Sequence, residues 1–321
     1  MQRSVDSVAA QTLTDFECFI VDNASEDGSL KSLTLPDKRF SVIELPTNAG
    51  FAAGNNHAAK QARGTWIALL NPDAFAAPDW LAQMMAATKL DTNIAMVGCL
   101  QRMALEDGIL DGAGDCYHLS GLAWRAKFGH AETEPLGTYE VFAPCGAAAL
   151  YKADLFHKIG GFDERFFCYH EDVDIGFRMR LAGGRCVQTS DASVDHVSSG
   201  ISGRASDFAV YYGTRNRIWT FFKNMPWPLL VVLTPAHIPL NLAVLLWSLA
   251  RIKRFKPTFR GMRDGFGGLS PILKSRKDIK PYKKATSLGI LKQMAWSPLT
   301  VLRRDLPRVQ QFKPNRNNSP L

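Results

Sequence analysis

Three carboxylates within four residues are the group in this sequence best placed for acid–base chemistry. Glu171, Asp172 and Asp174 follow a turn-like run at 160–164 and open a segment, 173–181, with apolar residues at helical spacing. A carboxylate at the mouth of a pocket can act as a general base. Acidic residues also occur in a first helical turn without any function, because the helix dipole stabilises them. The choice depends on whether the rest of the chain builds a pocket.

Polar residues follow each of three predicted strands at the point where the strand ends. The strands, at 16–21, 40–45 and 66–70, are mostly apolar, which is typical of strands buried on both faces. Ligands in open α/β sheets bind outside such carboxyl ends, and a plain polar turn is the alternative at each. The candidates are Asp22 and Asn23 after the first strand, Asn48 and Gly50 after the second, and Asn71 and Asp73 after the third.

Asp73 and His196 are the candidate metal ligands. Mg²⁺ or Mn²⁺ takes oxygen ligands, typically one or two carboxylates plus substrate phosphates. Asp73 follows a proline that stiffens its turn. Short strands are predicted at 185–188 and 194–197, and His196 lies in the second. A lone histidine is more often structural, and only the neighbouring carboxylates make a metal or phosphate contact an equal alternative.

The remaining patterns predict an α/β domain. Apolar periodicity predicts helices over 79–89 and 153–159 and a strand at 94–99. The region 101–140 is polar, and we expect it to be loop-rich variable decoration. Small residues at 142–151 leave room for a substrate, although close packing explains them equally well.

Charge is unevenly placed along a chain of otherwise ordinary composition. The 321 residues are 46% hydrophobic and carry a formal net charge of +8. After residue 250 there are 18 of the 38 Lys and Arg residues but only 3 of the 30 acidic ones. A basic tail of this kind suits an anionic surface, either nucleic acid or phospholipid. The six cysteines form no CxxC pair, which argues against a zinc cage.

A nearly uncharged run at 228–250 precedes a basic cluster that begins at Arg251. The run is long enough to span a bilayer, but Pro235 and Pro239 interrupt it, so a kinked or in-plane segment is an equal alternative. A buried helical hairpin is the third. The basic residues favour a cytoplasmic end. We expect attachment to the cytoplasmic side of the inner membrane, and a disordered tail over 305–321.

Five motifs in series resemble those of family 2 glycosyltransferases, which have the GT-A fold. Their order and spacing match over about residues 5–220, and the pattern is most similar to the rhamnosyltransferase-type branch that decorates bacterial surface polysaccharides. The segment 211–217 resembles one that follows the catalytic domain in this branch. The motifs are VDNASEDGS at 21–29, NAGF at 48–51, LNPDA at 70–74, GGFDERFF at 160–167 and HEDVD at 170–174.

The resemblance implies how a nucleotide would be held. Asp22 would contact the nucleobase or ribose, with Asn23 near it. Asn48 and Gly50 would line the nucleotide pocket. The expected donor is a dTDP- or UDP-sugar, with dTDP-L-rhamnose as the first choice.

It also implies the catalytic groups. Asn71 and Asp73 stand where the family carries an Asp-x-Asp motif, so Asp73 would bind the metal on the donor diphosphate, with Asn71 replacing the first Asp. His196 lies where relatives place a metal or diphosphate contact. Asp172 would be the base that deprotonates the acceptor hydroxyl, supported by Glu171. The implied reaction is a metal-assisted inverting displacement.

One departure concerns the first strand of the fold, which is usually central in the sheet. Met1 falls inside the helix that normally follows that strand, so the strand is expected to be missing. A misassigned start or a truncated, inactive chain would each explain this. The expected domains are an N-terminally truncated GT-A domain over 1–220, a membrane-associated helical and basic region over 221–304, and the tail over 305–321.

The sequence therefore predicts a glycosyltransferase with a mixed, Rossmann-like sheet and a membrane-associated helical tail. Its expected acceptor is a growing, lipid-linked, cell-surface polysaccharide. No nucleic-acid partner is expected, although a lipid- or nucleic-acid-binding protein acting through the basic tail is a rival from another class. A nucleotidyltransferase is a second enzymatic alternative, which the carboxylate pair after 160–164 disfavours.

Overall fold

The computed structural model of the chain describes residues 1–133, 136–198, 206–307 and 312, except for the side chains of residues 252 and 253. Helices flank a mixed sheet, as predicted. The described strands are β1 (Cys18–Asp22), β2 (Phe40–Glu44), β3 (Trp66–Leu70), β4 (Ala74–Ala76), β5 (Ile94–Met103), β6 (Leu110–Gly112), β7 (Asp115–Tyr117), β8 (Ala123–Arg125), β9 (Thr138–Glu140), β10 (Ala148–Lys152) and β11 (Arg185–His196).

The α-helices divide into those of the sheet-bearing part and a group that follows residue 206. The first group is α1 (Gln2–Ala9), α2 (Gly50–Ala59), α3 (Trp80–Thr88), α4 (Ala153–Lys158) and α5 (Glu171–Leu181). The second group is α6 (Asp207–Asn224), α7 (Trp227–Leu249), α8 (Ile252–Gly267), α9 (Leu269–Lys274), α10 (Arg276–Ile279), α11 (Ser287–Lys292) and α12 (Pro298–Arg303).

The strands form three sheets. β1 and β2 pair in parallel as a two-stranded sheet. A seven-stranded sheet runs in the order β3–β10–β5–β11–β4, with β6 on β5 and β9 on β11. Within it β5 and β11 are parallel, whereas β10 is antiparallel to both of its neighbours. β7 and β8 form a separate hairpin.

The seven-stranded sheet is covered by a helix on each face because its central strand, β5, is apolar on both sides. Met84 of α3 shares one cluster of buried side chains with Val97 of β5. Met179 of α5 shares another with Met96. Neighbouring residues of a strand point to opposite faces, so Met96 and Val97 mark the two sides of the sheet.

The sheet is open between β1 and β3. Among the described strands, β1 pairs only with β2, and β3 only with β10. α2 packs across the opening, since Gly54 lies against Val21 of β1, and Ala52 and Ala59 share a buried cluster with Ile67 of β3.

Two sequence predictions are wrong. The region 101–140 is not decoration: it contains β6 to β9, and the buried Tyr139 hydroxyl donates to the carbonyl of Ala113 at 3.1 Å. Strands of three residues are too short to show a period. The two strands expected at 185–188 and 194–197 are the ends of one strand, β11, whose register shifts between Thr189 and Ser193.

The helices after residue 206 pack on the sheet-bearing part. α6 lies along α8 and contacts α5. It also runs across residue 220, where the sequence suggested a boundary. At the far end, the Trp124 indole donates to the carbonyl of Asp305, and Leu306 is buried. The rest of the tail predicted to be disordered lies outside the described residues, apart from 307 and 312.

A buried ion network joins α5 to α6. The Asp174 carboxylate accepts from Arg178 Nε at 2.8 Å, Lys223 Nζ at 2.9 Å and Asn224 Nδ2 at 2.7 Å. Burial alone would raise the pKa of Asp174, but the Arg178 and Lys223 cations hold it below its ordinary value. Lys223 also donates to Asp163 at 2.6 Å. Asp174 is thus a structural carboxylate.

We predict that Asp174→Asn lowers the free energy of unfolding by about 3–5 kcal/mol, because two buried cations lose their shared counter-charge. The folded pKa of Asp174 is depressed, so its contribution is present above the unfolded pKa and is lost as pH falls through the folded one. Urea unfolding at several pH values checks both effects. Asp305→Asn, which breaks the part-exposed ion pair with Lys127, should cost no more than about 1 kcal/mol. Equal losses would contradict the prediction.

Candidate active site

The predicted nucleotide-binding residues lie together at the ends of β1 and β2. Asn23 Oδ1 accepts from the Ala49 amide at 2.8 Å, and Asn23 Nδ2 donates to the Gly50 carbonyl at 3.1 Å. The Gly50 amide in turn donates to Asn48 Oδ1 at 3.0 Å. Asp22 accepts from the Ser25 amide at 3.3 Å. Asn23, which follows β1, therefore ties the loop after β2 to the loop after β1. The sequence alone could only predict that the two loops lie near each other.

Gly50 needs to be glycine for two reasons. Its φ is +84°, a conformation that residues with a Cβ rarely adopt. A Cβ here would lie 2.5 Å from Phe167 Cδ2 and 2.7 Å from the Phe167 carbonyl oxygen. That carbonyl accepts from the Ala52 amide at 3.2 Å. The loop that contains Gly50 is thus packed directly on the segment that leads to the carboxylates of α5.

The segment before α5 has a strained backbone. Phe167, Tyr169 and His170 have positive φ values of 65°, 66° and 66°. Each left-handed residue costs roughly 1–2 kcal/mol, so the surroundings must hold the turn. Asn216 of α6 does so, because its Nδ2 lies 2.9 Å from the carbonyl of Phe166, 2.9 Å from that of Cys168 and 2.7 Å from that of Tyr169.

The turn delivers Asp172 and Glu171 into different environments. Asp172 is part-exposed, and its two oxygens accept from the Gly146 amide at 3.0 Å and the Val173 amide at 2.8 Å. Glu171 is 5% exposed. Burial, followed by the charge of Asp172, raises its pKa well above the usual range, which keeps it neutral. Of the two carboxyl groups, Asp172 is the one exposed to solvent.

Asp73, which follows β3, and His196, the last residue of β11, lie close together. Asp73 Oδ1 lies 3.3 Å from His196 Nε2, and neither buried atom makes a hydrogen bond of good geometry. His196 Nδ1 lies 2.8 Å from Asp111 Oδ2. Burial opposes a charge on His196, but the carboxylates of Asp111 and Asp73, one at each ring nitrogen, raise its pKa. A carboxylate oxygen and an imidazole nitrogen without partners fit a divalent cation such as Mn²⁺ or Mg²⁺.

Asn71 links the turn that carries Asp73 to the segment that contacts Asp172. Its amide donates to the carbonyl of Ala147 at 2.8 Å, which ties the end of β3 to the residue after Gly146. Its own carbonyl accepts from Ser4 Oγ at 3.1 Å. The backbone of Asn71 thus fixes the position of Asp73, two residues on.

Sequence reasoning missed three residues of the site: Asp111, Asp115 and Arg125. Arg125 Nη1 donates to Asp111 Oδ2, the oxygen that also faces His196. The carboxyl oxygens of Asp115 and Asp172 lie within 4.8 Å of each other. A chain of polar side chains therefore runs from Asp73 through His196, Asp111, Arg125 and Asp115 to Asp172. The one signal in the sequence was the run DGAGD at 111–115, which lies in the region expected to be decoration.

The chain is similar in sequence to known proteins of one family. The family model described as Glycosyl transferase family 2 matches residues 1–160. The O-antigen biosynthesis protein RfbC of Myxococcus xanthus is 30% identical over 210 residues, covering 61% of this chain and 16% of RfbC. N-acetylglucosaminyl-diphospho-decaprenol L-rhamnosyltransferase of Mycobacterium tuberculosis is 23% identical over 239 residues, covering 66% of this chain and 77% of that protein. The chain thus spans only a small part of RfbC.

Among solved structures, the mannosyltransferase PcManGT of Pyrobaculum calidifontis, in complex with GDP-Man and Mn²⁺, superposes with a TM-score of 0.53. The match covers 90% of this chain and 79% of that chain at 17% identity, so it shows a shared fold. The predicted GT-A fold, the family and the enzyme class are confirmed. The roles of the individual site residues stay predictions.

We predict that Gly50→Ala destabilises the protein by roughly 2–5 kcal/mol, because a left-handed conformation adds to the clash with Phe167. Gly28→Ala is the matched control, since Gly28 has a φ of +73° but no atom within 4 Å of the position that a Cβ would take. It should cost only the conformational part, roughly 1–2 kcal/mol. Urea unfolding of both variants measures the difference, and equal losses would show that the Phe167 contact is unimportant.

Proposed function

Because the chain belongs to glycosyl transferase family 2, we propose that it transfers a sugar from a nucleotide-sugar donor to a hydroxyl group of a glycan acceptor. One observation carries the proposal. The unpartnered pair of Asp73 Oδ1 and His196 Nε2 lies at the same sheet edge as the part-exposed Asp172, joined to it by a chain of polar side chains. In this proposal the donor diphosphate binds at the pair and the acceptor hydroxyl at Asp172, and the two meet at the anomeric carbon of the donor sugar.

The residues take the following roles. Asp22, Asn23, Asn48 and Gly50 form the nucleotide pocket. Asp73 and His196 would hold a divalent cation, which when bound neutralises negative charge on the donor diphosphate. Asn71 positions Asp73 through its backbone contacts.

Asp172 is the general base. It accepts the proton of the acceptor hydroxyl while that oxygen attacks the anomeric carbon from the face opposite the diphosphate. The bond from this carbon to the diphosphate oxygen breaks, and its electron pair leaves with the nucleoside diphosphate. The result is inversion at the anomeric carbon. Glu171 is buried, and burial followed by the charge of Asp172 raises its pKa well above the ordinary value, which disfavours a second negative charge beside the base.

For the donor we propose a dTDP- or UDP-sugar, with L-rhamnose as the first sugar to test, and for the acceptor a lipid-linked glycan. The mycobacterial relative, whose name describes rhamnosyl transfer to N-acetylglucosaminyl-diphospho-decaprenol, supports both choices. RfbC, an O-antigen biosynthesis protein by name, supports a cell-surface polysaccharide as the product.

We also propose that the protein sits on the cytoplasmic face of the membrane through α7, lying in the plane of the bilayer. α7 is the one described helix long and apolar enough to cross a membrane. One face of it is held by the protein: the His237 ring stacks on Phe221 at 3.9 Å, and Asn241 Oδ1 accepts from Arg217 at 2.7 Å. The opposite face exposes Val231, at 69%, and further apolar side chains. These are Trp227, Val232, Ile238, Leu242, Leu246, Trp247 and Leu249.

A spanning arrangement would have to break the contacts of His237 and Asn241 and expose them to lipid, which is costly. An in-plane helix keeps them and buries only the exposed stripe. The basic residues after Arg251 then face anionic headgroups.

The donor site is tested by calorimetric titration of the protein with dTDP, UDP and GDP, each with and without Mn²⁺. We expect one nucleotide to bind only with the metal, and Asp73→Asn to weaken that binding at least about tenfold. Asp107→Asn, an exposed carboxylate in a loop, should leave it unchanged. Metal-independent binding that survives Asp73→Asn would refute the proposed metal ligands. Silence with all three nucleotides would favour an inactive homologue.

The membrane site is tested by flotation with vesicles of phosphatidylglycerol and phosphatidylcholine. We expect the wild type to float and alkaline carbonate to release it, because an in-plane helix does not cross the bilayer. Val231→Asp, Leu242→Asp and Leu246→Asp together should abolish flotation, since each loses about 1.5 kcal/mol or more of apolar burial. Leu105→Asp, at a loop residue 79% exposed, is the control and should float. Resistance to carbonate would instead indicate a spanning helix.

A further inference from the structure

Asp115 is a buried acid that none of the motifs includes. It opens β7 and is 7% exposed. Its carboxyl oxygen, an oxygen of Asp172 and Cys145 Sγ all lie within 4.8 Å of one another. Asp172 is fixed in this position by the amides of Gly146 and Val173. Two carboxyl groups therefore stand side by side at the place where the base must act.

A pair of carboxyl groups in such a place cannot both be ionised cheaply. Burial disfavours each charge, and the second charge repels the first. Burial, then the charge of Asp172, raises the pKa of Asp115 well above its ordinary value, and a hydrogen bond between the two side chains acts in the same direction. Asp115 is the more buried of the two, so it is the member that keeps the proton.

The cluster could be read as a site for a second cation, but Arg125 argues against this. Its guanidinium is held by Asp111 and interacts electrostatically with Asp115, Asp172 and Cys145. A fixed positive charge already faces the cluster, and a metal ion would be placed against it. The Cys145 thiol is also fully enclosed, and burial raises its pKa well above the ordinary value, so it is a poor thiolate ligand.

We propose that Asp115 is a positioning residue for the catalytic base: its protonated carboxyl donates a hydrogen bond to Asp172 and holds that side chain oriented toward the acceptor. This inference rests on the proposed function. In the transfer step Asp172 takes the acceptor's proton and the nucleoside diphosphate leaves with the electron pair, while Asp115 keeps its own proton throughout. Asp172, being part-exposed, then releases the transferred proton to water.

The proposal also predicts a pH dependence, because ionisation of Asp115 would remove the donor and place a second negative charge beside the base. Several groups on the surrounding elements face Asp115 and contribute to its titration. They are Asp111 before it, Arg125 on β8, Cys145 before β10, Tyr151 on β10, Glu171 and Asp172 on α5, and Cys186 on β11.

The proton is tested by infrared difference spectroscopy on the whole protein at neutral pH. We expect Asp115→Asn to remove the C=O stretching band of one protonated carboxyl relative to the wild type. Asp107→Asn, at an exposed loop position, should remove none. This measurement needs no substrate, so it holds even if the proposed donors fail to bind. An unchanged carboxyl band in Asp115→Asn would overturn the proposal.

The positioning role is tested by turnover with whichever nucleotide-sugar the calorimetric titration supports. Asp115→Asn can still donate a hydrogen bond, so it should keep kcat within about tenfold. It should lose the fall in kcat that ionisation of Asp115 causes in the wild type as the pH rises. Asp115→Leu, which cannot donate, should lower kcat by about 10²-fold with unchanged affinity for the nucleoside diphosphate. Wild-type kcat in Asp115→Leu would overturn the proposal. Loss of nucleotide binding in the wild type would count against the proposed function instead.

Discussion

Carboxyl groups crowded at one buried sheet edge are the constraint on which the rest of this site depends, since burial disfavours each negative charge. The chain meets the constraint in two ways. Arg125 places positive charge beside Asp111, and His196 Nδ1 lies 2.8 Å from the same carboxylate oxygen. Asp115 and Glu171 have pKa values raised well above their usual ranges and stay neutral. The edge can therefore hold several carboxyl groups without accumulating charge that would destabilise the fold.

The same constraint explains why the helices after residue 206 pack against the sheet-bearing part at the carboxylate run. The run at 171–174 contains the candidate base Asp172 and also Asp174. The Asp174 carboxylate faces α6. Asp174 is balanced by Lys223 from α6, and the strained turn before α5 is held by Asn216 from the same helix. Lys223 of α6 thus balances the charge of Asp174, and Asn216 of α6 holds the turn that positions the start of the run. The packing of the C-terminal helices is therefore physically coupled to the geometry of the carboxylate run.

α7, the helix after α6, has a buried polar face and an exposed apolar face. Its polar side chains His237 and Asn241 point into the protein, where they find partners, and its apolar side chains point away from it. A soluble helix normally has the reverse pattern. An in-plane membrane helix would give both faces a suitable environment. It would also bring the site near a lipid-linked acceptor without passing any part of the domain through the bilayer.

The sequence by itself determined the local elements and the residues at strand ends. Runs of apolar residues specified β3 and α5 closely, and short motifs identified Asp22, Asp73 and Asp172, because local spacing encodes strand ends and helix starts. Only the tertiary structure brought in Asp115 and Arg125. They come from strands of three residues without a readable period, and their importance arises from a long-range meeting with α5. The protonation of a buried carboxyl likewise depends on neighbours distant along the chain, which no local pattern reveals.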